Sequence, residues 1–288
     1  MEEIIRYFPI YIQNLIRNII AQNPEIAICE NVQEIRIRAD RPLILKLRQG
    51  DILLEYIVTS QDILQTVERL CENSIYAYKN QICEGFITIP GGHRVGITGS
   101  CVIENGKIIN LKYISSLNIR VARQVLNCSN NIIKDIINKE ENTIYNTMLV
   151  SPPGKGKTTI LRDIIRKISN GMPDIKFSPK TCGIVDERGE IASCFKGVPQ
   201  NDVGMRTDII ENVSKSQGLR MLIRSMSPEV IACDEIGTQE DVQAIRQAMC
   251  SGVKGIFTCH GKTTEDIKKN TAISELIESK VLEKIIFI

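Results

Sequence analysis

The residue types best suited to chemistry lie in one segment rich in glycine and lysine. This segment consists of Ser151, Pro152, Pro153, Gly154, Lys155, Gly156, Lys157, Thr158 and Thr159. Phosphate groups are bound by closely approaching backbone N–H groups, which glycine permits, together with a positive helix end and one reachable ammonium group. Lys157 supplies the ammonium group, and the hydroxyl of Thr158 is a candidate ligand for Mg²⁺. The segment therefore predicts a phosphate-binding loop for ATP and Mg²⁺.

The loop lies between a predicted strand at 148–150 and a predicted helix at 158–168, as a phosphate-binding loop requires. It departs from the pattern G-x-x-x-x-G-K-[ST] at its first position, where Ser151 replaces glycine. That position turns the chain without touching phosphate, so serine is tolerable there unless its backbone φ is positive, which would strain it. A glycine- and lysine-rich turn that binds no phosphate is the alternative.

Two adjacent carboxylates, Asp234 and Glu235, follow an apolar run at 230–233. If that run is a parallel strand neighbouring the strand at 148–150, both carboxylates lie beside the bound phosphates. Phosphoryl transfer needs mainly positioning and charge stabilisation from the protein. We therefore predict that Asp234 holds Mg²⁺ through water and that Glu235 orients the attacking water. An acidic pair after a strand is by itself more often a helix N-cap, and the loop at 151–159 is what favours catalysis.

Two further predicted strands end in polar residues that would meet at the same edge of a parallel sheet. The run at 183–185 is followed by Asp186, Glu187, Arg188, Gly189 and Glu190. A second acidic strand at one edge indicates a crowded metal and water site, with local pairing in a charged turn as the alternative. The run at 255–259 leads into His260, which could hydrogen-bond the γ-phosphate or a catalytic carboxylate and so report the nucleotide state. A histidine that is simply packed or exposed is the alternative there.

The elements that must position these residues alternate, from residue 144 onward, between short apolar runs and helices. Such alternation predicts a parallel sheet with helices on both faces, whose ligands bind at the carboxyl ends of the strands. The runs that fit strands are 148–150, 183–185, 230–233, 255–259 and 285–288. The second half of the chain is therefore predicted to be an α/β domain.

The first half of the chain has a different pattern. Apolar spacing predicts an amphipathic helix over 3–20, and a second helix follows Ser60, whose side chain would cap it. Alternating apolar and polar residues predict antiparallel strands, which lie at 32–37, 43–47 and 52–58 and within 82–123. We predict a smaller α+β domain over 1–128, followed by the α/β domain over 129–288, with a connecting helix that opens near 127–131.

Composition and charge argue against several other classes of protein. Of 288 residues, 43% are hydrophobic and 24% are charged, which suits a folded protein rather than a disordered one. The net charge is +2, and each predicted domain carries +1, so no basic domain indicates nucleic-acid binding. Ten cysteines without a CxxC pair, and only two histidines, argue against a zinc site and suit buried thiols in a reducing cytosol.

The sequence predicts no segment that crosses a membrane. The first residues, MEEIIRYFPI, are acidic and unlike a signal peptide. The longest charge-free stretch, 142–154, has 13 residues, which is short of the ~20 that a spanning helix needs. We expect a cytoplasmic protein that reaches a membrane only through partners.

The order of phosphate loop, acidic strands and histidine strand resembles that of the secretion and type IV pilus ATPases, which are hexameric RecA-like motors. The motifs PGGHRVGITG, DERGE, RSMSP and DEIG resemble the stage III sporulation protein AA family, over essentially the whole chain. The resemblance implies a RecA-like P-loop ATPase core with a smaller N-terminal α+β domain. It also implies a ring, expected to be a hexamer, that hydrolyses ATP and drives assembly or export through a membrane-embedded sporulation complex from its cytoplasmic face.

By the same resemblance, the roles argued above fall to Lys157, Thr158, Glu187, Asp234, Glu235 and His260. The N-terminal domain of such ATPases presents arginines to the nucleotide, and Arg120 and Arg123 match that use. Residues three apart on a strand point to opposite faces, so both reach one phosphate only if the strand bends. Arg206, Arg220 and Arg224 are competing candidates, and a structural salt bridge is the alternative for each arginine.

Two other functions fit the same motifs. A nucleic-acid-remodelling ATPase could use the same core, but the even distribution of a near-zero charge speaks against it. A nucleotide-gated adaptor would bind ATP without steady hydrolysis, but the adjacent carboxylates Asp234 and Glu235 speak against that function.

Overall fold

The computed structural model describes residues 1–22 and 31–288, so that Cys29, one of the ten predicted buried thiols, lies outside the described residues. The chain divides into two compact units, an N-terminal unit of residues 1–123 and a C-terminal unit of residues 124–288. This division is close to the predicted boundary. Each unit has its own six-stranded sheet and its own hydrophobic core.

The N-terminal unit is built on an antiparallel sheet. Its strands are β1 Val32–Arg38, β2 Arg41–Leu47, β3 Gly50–Val58, β4 Phe86–Ile89, β5 His93–Glu104 and β6 Lys107–Arg120. Their spatial order is β3-β2-β1-β6-β5-β4. Ile35 of β1 lies opposite Leu45 and Ile119, and all three are buried, so apolar side chains of neighbouring strands share one face. The antiparallel strands predicted for this half are confirmed.

The described helices of this unit are α1 Glu2–Ile5, α2 Ile10–Gln22, α3 Ser60–Leu70 and α4 Lys79–Cys83. The single helix predicted over 3–20 is wrong, because the chain breaks between α1 and α2. Pro9 has no N–H for a helical hydrogen bond and disfavours the helical backbone at Phe8. Ile4 and Ile12 are nevertheless fully buried, so the apolar spacing correctly identified the side chains that enter the core.

Helix α3 begins with a cap that differs from the predicted one. The side chain of Thr59, rather than Ser60, accepts the hydrogen bond from the N–H of Asp62, while the Asp62 carboxylate accepts one from the N–H of Thr59 at 2.8 Å. This reciprocal pair is a capping box. The hydroxyls of Tyr11 and Tyr56 also donate to Asp62, which leaves this buried carboxylate well supplied with donors.

The C-terminal unit contains a short hairpin followed by a parallel sheet. Its strands are β7 Ile137–Asn138, β8 Thr143–Ile144, β9 Thr147–Ser151, β10 Cys182–Asp186, β11 Thr207–Glu211, β12 Val230–Cys233, β13 Lys254–His260 and β14 Lys284–Phe287. The order in the parallel sheet is β11-β10-β12-β13-β9-β14. The strands predicted for this half are confirmed. Strand β11 was not predicted, because it is half-buried at the edge and Asp208 and Glu211 interrupt its apolar pattern.

The described helices of this unit are α5 Ile133–Ile136, α6 Lys157–Asn170, α7 Lys215–Ser225, α8 Gln239–Cys250, α9 Thr264–Lys268 and α10 Thr271–Glu278. Leu149 of β9 belongs to the same core as α6, whereas the next residue, Val150, belongs to the core of α7 and α8. Adjacent residues of a strand point to opposite faces, so helices cover both faces of the sheet, as predicted. Among the described helices of both units, none is long and apolar enough to span a bilayer.

Burial keeps several cysteines of this unit in the thiol form. It raises the pKa of Cys182 to about 12 and that of Cys259 to about 11. Both values lie far above neutral pH, so neither side chain ionises there. These cysteines pack as small apolar residues in the strands that carry them.

A buried aspartate on α6 fixes the first residues of the C-terminal unit. The Asp163 carboxylate accepts hydrogen bonds from the N–H groups of Asn127 at 3.0 Å and Ser129 at 2.9 Å, and from the Ser129 hydroxyl at 2.6 Å. Arg166 and Lys167 contact the same carboxylate at 2.7 and 3.2 Å. Burial alone would raise the pKa of Asp163, but these hydrogen bonds outweigh it and hold the pKa well below its usual range. Residues near 127–131 therefore form turns, and the predicted connecting helix is reduced to α5.

Replacing Asp163 with asparagine should lower the free energy of unfolding by about 2 kcal/mol at pH 7, because the buried donors lose a charged acceptor. The folded-state pKa is depressed, so this contribution is fully present above the unfolded value of about 3.9 and is lost as the pH falls below it. Urea unfolding at pH 7 and pH 3 measures the change, with the exposed Asp174→Asn as the control. An equal deficit at both pH values would contradict a role for the charge.

Candidate functional site

The predicted phosphate loop connects the end of β9 to the start of α6. Gly154 and Gly156 have positive φ values of 75° and 83°, which other residues adopt only with strain. A Cβ added at either glycine would meet no atom within 4 Å, so the space around both is open. Ser151 is the buried last residue of β9 and has an extended backbone, so serine is accommodated at the position where the motif has glycine.

Helix α6 begins without a side-chain cap. Its N-cap residue is Gly156, which has no side chain to accept a hydrogen bond from the first turn. The first N–H groups of a helix have no partners within the helix, and they form the positive end of its dipole. This end of α6 is therefore suited to binding an anion such as phosphate.

Lys157, the first residue of α6, has its ammonium group folded back against the loop. Its Nζ donates to the carbonyl oxygens of Ser151 at 2.9 Å and Pro152 at 3.3 Å, and lies 2.8 Å from Nδ1 of His260. Only 5% of the residue is exposed. Desolvation lowers the pKa of Lys157, while the nearby carboxylates of Asp234 and Glu235 oppose that shift.

The hydroxyl of Thr158 donates a hydrogen bond to the carboxylate of Asp234. Strand β12, which precedes Asp234, is not the direct neighbour of β9 that the sequence analysis considered, because β13 lies between them. His260, at the end of β13, is instead the register partner of Ser151. Thr158 still reaches Asp234, since all three strands are parallel and end at one edge.

Glu235 and His260 form the next contact of the site. His260 Nε2 lies 3.0 Å from Oε1 of Glu235, and Arg188 pairs with the other carboxylate oxygen. Because the Lys157 ammonium can only donate, Nδ1 of His260 must accept, which places the imidazole proton on Nε2 and directs it at Glu235. A single histidine thus joins the lysine of the phosphate loop to the carboxylate after β12.

The acidic segment after β10 is shaped by its first residue. The buried carboxylate of Asp186 accepts from the N–H groups of Glu190, Ile191 and Ala192 at 2.8 to 3.0 Å. Arg162 of α6 supports the same turn by donating to the carbonyl oxygens of Glu190 and Ile191. Asp186 therefore folds the segment through hydrogen bonds to its backbone.

The two acidic strands do meet at one edge, as predicted. One pocket is lined by Val185, Asp186, Glu187, Arg188, Glu190, Lys215, Asp234 and Glu235. Glu187 pairs with Lys215, which lies at the start of α7. Sequence reasoning missed Lys215 and Arg162, since no motif or spacing distinguishes them from other basic residues on helices.

The candidate arginines of the N-terminal unit have different surroundings. Arg120 is the exposed last residue of β6 and lies opposite Arg94 of β5 and Glu34 of β1. Arg123 lies beyond the strand and donates to the carbonyl oxygen of Val32. The two arginines therefore do not share one regular strand.

The other candidate arginines belong to the C-terminal unit. Arg206 donates from its guanidinium to the carbonyl oxygen of Ser169 at 3.4 Å, while its N–H donates to the Ser169 hydroxyl at 2.7 Å. Arg220 and Arg224 are exposed on α7.

Two solved structures, an ATPase and a pilus motor, share the architecture of this chain. The Legionella pneumophila ATPase DotB aligns with a TM-score of 0.56 at 14% identity, covering 89% of this chain and 68% of DotB. The pilus retraction motor PilT, solved with bound ADP, aligns with a TM-score of 0.59 at 16% identity, covering 92% of this chain and 76% of PilT. At such identities the likeness shows the fold, which is RecA-like with a smaller antiparallel N-terminal unit, as predicted.

Sequence relatives identify the family. Stage III sporulation protein AA of Bacillus subtilis (strain 168) is 39% identical over 268 residues, covering 93% of this chain and 85% of that protein. Protein SEEDLING PLASTID DEVELOPMENT 1 of Arabidopsis thaliana is 28% identical over 255 residues, covering 86% of this chain and 33% of the plant protein. The family described as "Sporulation stage III, protein AA" matches residues 3–288. This chain therefore belongs to the sporulation stage III protein AA family.

Proposed function

We propose that this protein is an ATP-hydrolysing motor of the secretion-ATPase type. The observation that carries the proposal is the chain of contacts at the carboxyl edge of the parallel sheet. Lys157 meets His260, His260 meets Glu235, and Thr158 meets Asp234. A phosphate-binding loop and two carboxylates within reach of one another are the groups that phosphoryl transfer requires.

The loop at 151–159 suits the phosphates of ATP. Its open glycines, its uncapped helix end and the Lys157 ammonium supply N–H groups and positive charge in one place. The ammonium now donates to loop carbonyls. A phosphate oxygen would offer it a charged acceptor instead, which forms a stronger hydrogen bond than a carbonyl does.

The residues beside the loop fit Mg²⁺. Thr158 and Asp234 present a hydroxyl and a carboxylate in direct contact, and oxygen ligands of these kinds are the ones Mg²⁺ prefers. When bound, Mg²⁺ neutralises negative charge on the phosphate oxygens. Thr158 and Asp234 are the residues that would hold it.

Glu235 is the proposed catalytic carboxylate. Arg188 and His260 both contact its side chain, so its two oxygens are held in place before any water is oriented. His260 also contacts Lys157. Movement of that ammonium toward a phosphate would remove one of the two partners of His260, and Glu235 would then respond to occupation of the loop. Glu187, paired with Lys215, is the second candidate carboxylate.

The proposed work of the motor is assembly or export through a membrane-embedded sporulation complex from its cytoplasmic face. Family membership supports a role in sporulation, and the fold supports a ring of subunits, with a hexamer as the proposed size. Membrane contact would come through partner proteins. The decisive experiment measures ATP hydrolysis against protein concentration, together with particle size in the presence of a non-hydrolysable analogue.

Specific activity should rise with protein concentration if a neighbouring subunit completes the site. Activity that is constant down to the monomer would contradict a ring motor. Nucleotide binding without turnover at any concentration would favour a nucleotide-gated adaptor, and salt-sensitive binding and stimulation by nucleic acid would favour a remodelling ATPase.

Replacing Arg120 with alanine should lower kcat strongly, because an arginine supplied to the phosphates is worth on the order of 10³ to 10⁵ in rate. Arg120 is the sharper target than Arg123, whose guanidinium already donates to the backbone of its own unit. Steady-state ATP hydrolysis by the full chain measures the effect. Arg48→Ala, at another exposed arginine of the N-terminal unit, is the control. Equal activity of Arg120→Ala and Arg48→Ala would show that Arg120 does not act in hydrolysis.

A further inference from the structure

A buried threonine on β13 contacts both residues of the acidic pair. Thr258 is fully buried, and its hydroxyl donates to Oδ1 of Asp234 while accepting the N–H of Glu235 at 2.9 Å. One side chain of the neighbouring strand thus holds a carboxylate and the next backbone N–H together. The sequence motifs did not single out this residue.

The backbone of Glu235 needs such support. Its φ is 52°, in the left-handed region that non-glycine residues rarely occupy. Strained backbone of this kind persists only where the surroundings hold it. The N–H of Glu235 also lies 3.0 Å from Oδ1 of Asp234, and the N–H of Ile236 donates to the carbonyl oxygen of Thr258 at 2.8 Å. Two successive N–H groups are therefore tied to Thr258.

The orientation of Asp234 depends on the same hydroxyl. Oδ1 accepts from Thr258, and Oδ2 accepts from Thr158 of the phosphate loop. Because a carboxylate is planar, fixing one oxygen on β13 directs the other toward α6. Thr258 therefore fixes the orientation of the Asp234 carboxylate beside the phosphate loop.

We propose that Thr258 is a positioning residue for the reaction, acting through Asp234 and Glu235. This inference rests on the proposed ATPase function. The hydroxyl of Thr258 can donate to the carboxylate and accept from the N–H at once. Valine has nearly the same shape but neither capacity, whereas serine retains both. The two substitutions therefore separate the hydrogen bonds from the packing of the strand.

The test compares Thr258→Val with Thr258→Ser in the full chain. The valine variant should lose on the order of 10- to 100-fold in kcat, the effect typical of residues that orient metal ligands. It should also need more Mg²⁺ for half-maximal activity and bind ADP without Mg²⁺ as the unmodified protein does. The serine variant should retain most of the kcat.

Thr147→Val is the matched control. Thr147 is a fully buried threonine of the same sheet, and its hydroxyl donates to the carbonyl oxygen of Tyr145 at 2.7 Å, at the end of β9 remote from the phosphate loop. Its removal should leave kcat and the Mg²⁺ requirement unchanged. Urea unfolding establishes that each variant is folded, and Thr258→Ala replaces the valine variant if valine is not accommodated.

The outcomes separate this inference from the proposed function. Unchanged kcat and Mg²⁺ requirement in Thr258→Val, with normal hydrolysis by the unmodified protein, would overturn the inference alone. An unmodified protein that binds nucleotide without hydrolysing it would overturn the proposed function. In that case titration with fluorescent ADP still tests whether Thr258 positions Asp234. If it does, Thr258→Val should bind ADP more weakly than the unmodified protein in the presence of Mg²⁺, and Thr258→Ser should not. Equal losses in the valine and serine variants would show that packing, not the hydroxyl, matters.

Discussion

Replacing Lys157 with alanine should abolish tight nucleotide binding while leaving the fold intact. Loss of a charged hydrogen bond of this kind is worth about 3 kcal/mol, or on the order of 100-fold in affinity. Helix α6 should persist, because Leu161, Ile164 and Ile165 anchor it in the core and all three are fully buried. Titration with a fluorescent nucleotide measures the affinity, and circular dichroism measures the fold.

The surroundings of Lys157 also predict a small change in stability. Lys157 is buried against loop carbonyls and His260, rather than extended in solvent, so its loss leaves the carbonyl oxygens of Ser151 and Pro152 without that donor. We therefore expect a small loss of stability, about 1 kcal/mol. The control is Lys139→Ala, at an exposed lysine between β7 and β8. Unchanged nucleotide affinity in Lys157→Ala would refute the assignment of the phosphate loop.

Replacing Glu235 with glutamine should retain ATP binding and lose most hydrolysis. The amide keeps the shape of the side chain but cannot orient or accept a proton from water as the carboxylate does, and loss of a general base typically lowers the rate about 10² to 10⁴-fold. An amide also offers Arg188 and His260 one acceptor atom where the carboxylate offers two. Single-turnover hydrolysis and a binding titration separate the two effects.

The same substitution at Glu187 tests whether the loss of hydrolysis is specific to Glu235. Glu187→Gln should have the smaller effect on hydrolysis, because the contacts that lead from Lys157 through His260 end at Glu235, whereas Glu187 pairs with Lys215 of α7. Glu240→Gln, at an exposed position in the first turn of α8, controls for the loss of one charge. Normal hydrolysis by Glu235→Gln combined with loss in Glu187→Gln would mean that the roles of the two acidic strands are reversed.

Local patterns predicted most of the elements. The runs at 148–150, 183–185, 230–233 and 255–259 were identified as strands because short, mostly apolar runs suit a sheet buried on both faces, and the observed strands β9, β10, β12 and β13 contain them. Two predictions in the N-terminal unit were wrong because of single residues. Pro9 divided the first helix, and the side chain of Thr59 competed successfully with that of Ser60 as the cap of α3.

The sequence predicted which residues form the candidate site but not which residues contact them. Lys157, Thr158, Asp234, Glu235 and His260 do lie at one edge of the sheet, because parallel strands connected by helices all end there. Their partners were not predictable. Arg188 lies in the acidic segment identified from the sequence, but its pairing with Glu235 was not predicted. No motif distinguishes Lys215 or Thr258, and their contacts depend on which elements become neighbours.

The sequence by itself determined the chemistry that is available and the fold class, since both follow from residue type and from periodicities of two and of about 3.6 residues. The tertiary structure decided the order of the strands. The placement of β13 between β9 and β12 puts His260 opposite Ser151 and Phe257 opposite Cys233, so that the next residue, Thr258, reaches Asp234. That order comes from the packing of whole helices on both faces of the sheet, a sum of many contacts between residues far apart in the chain. No local pattern encodes it, and it selects the hydrogen-bond partners of each carboxylate in the site.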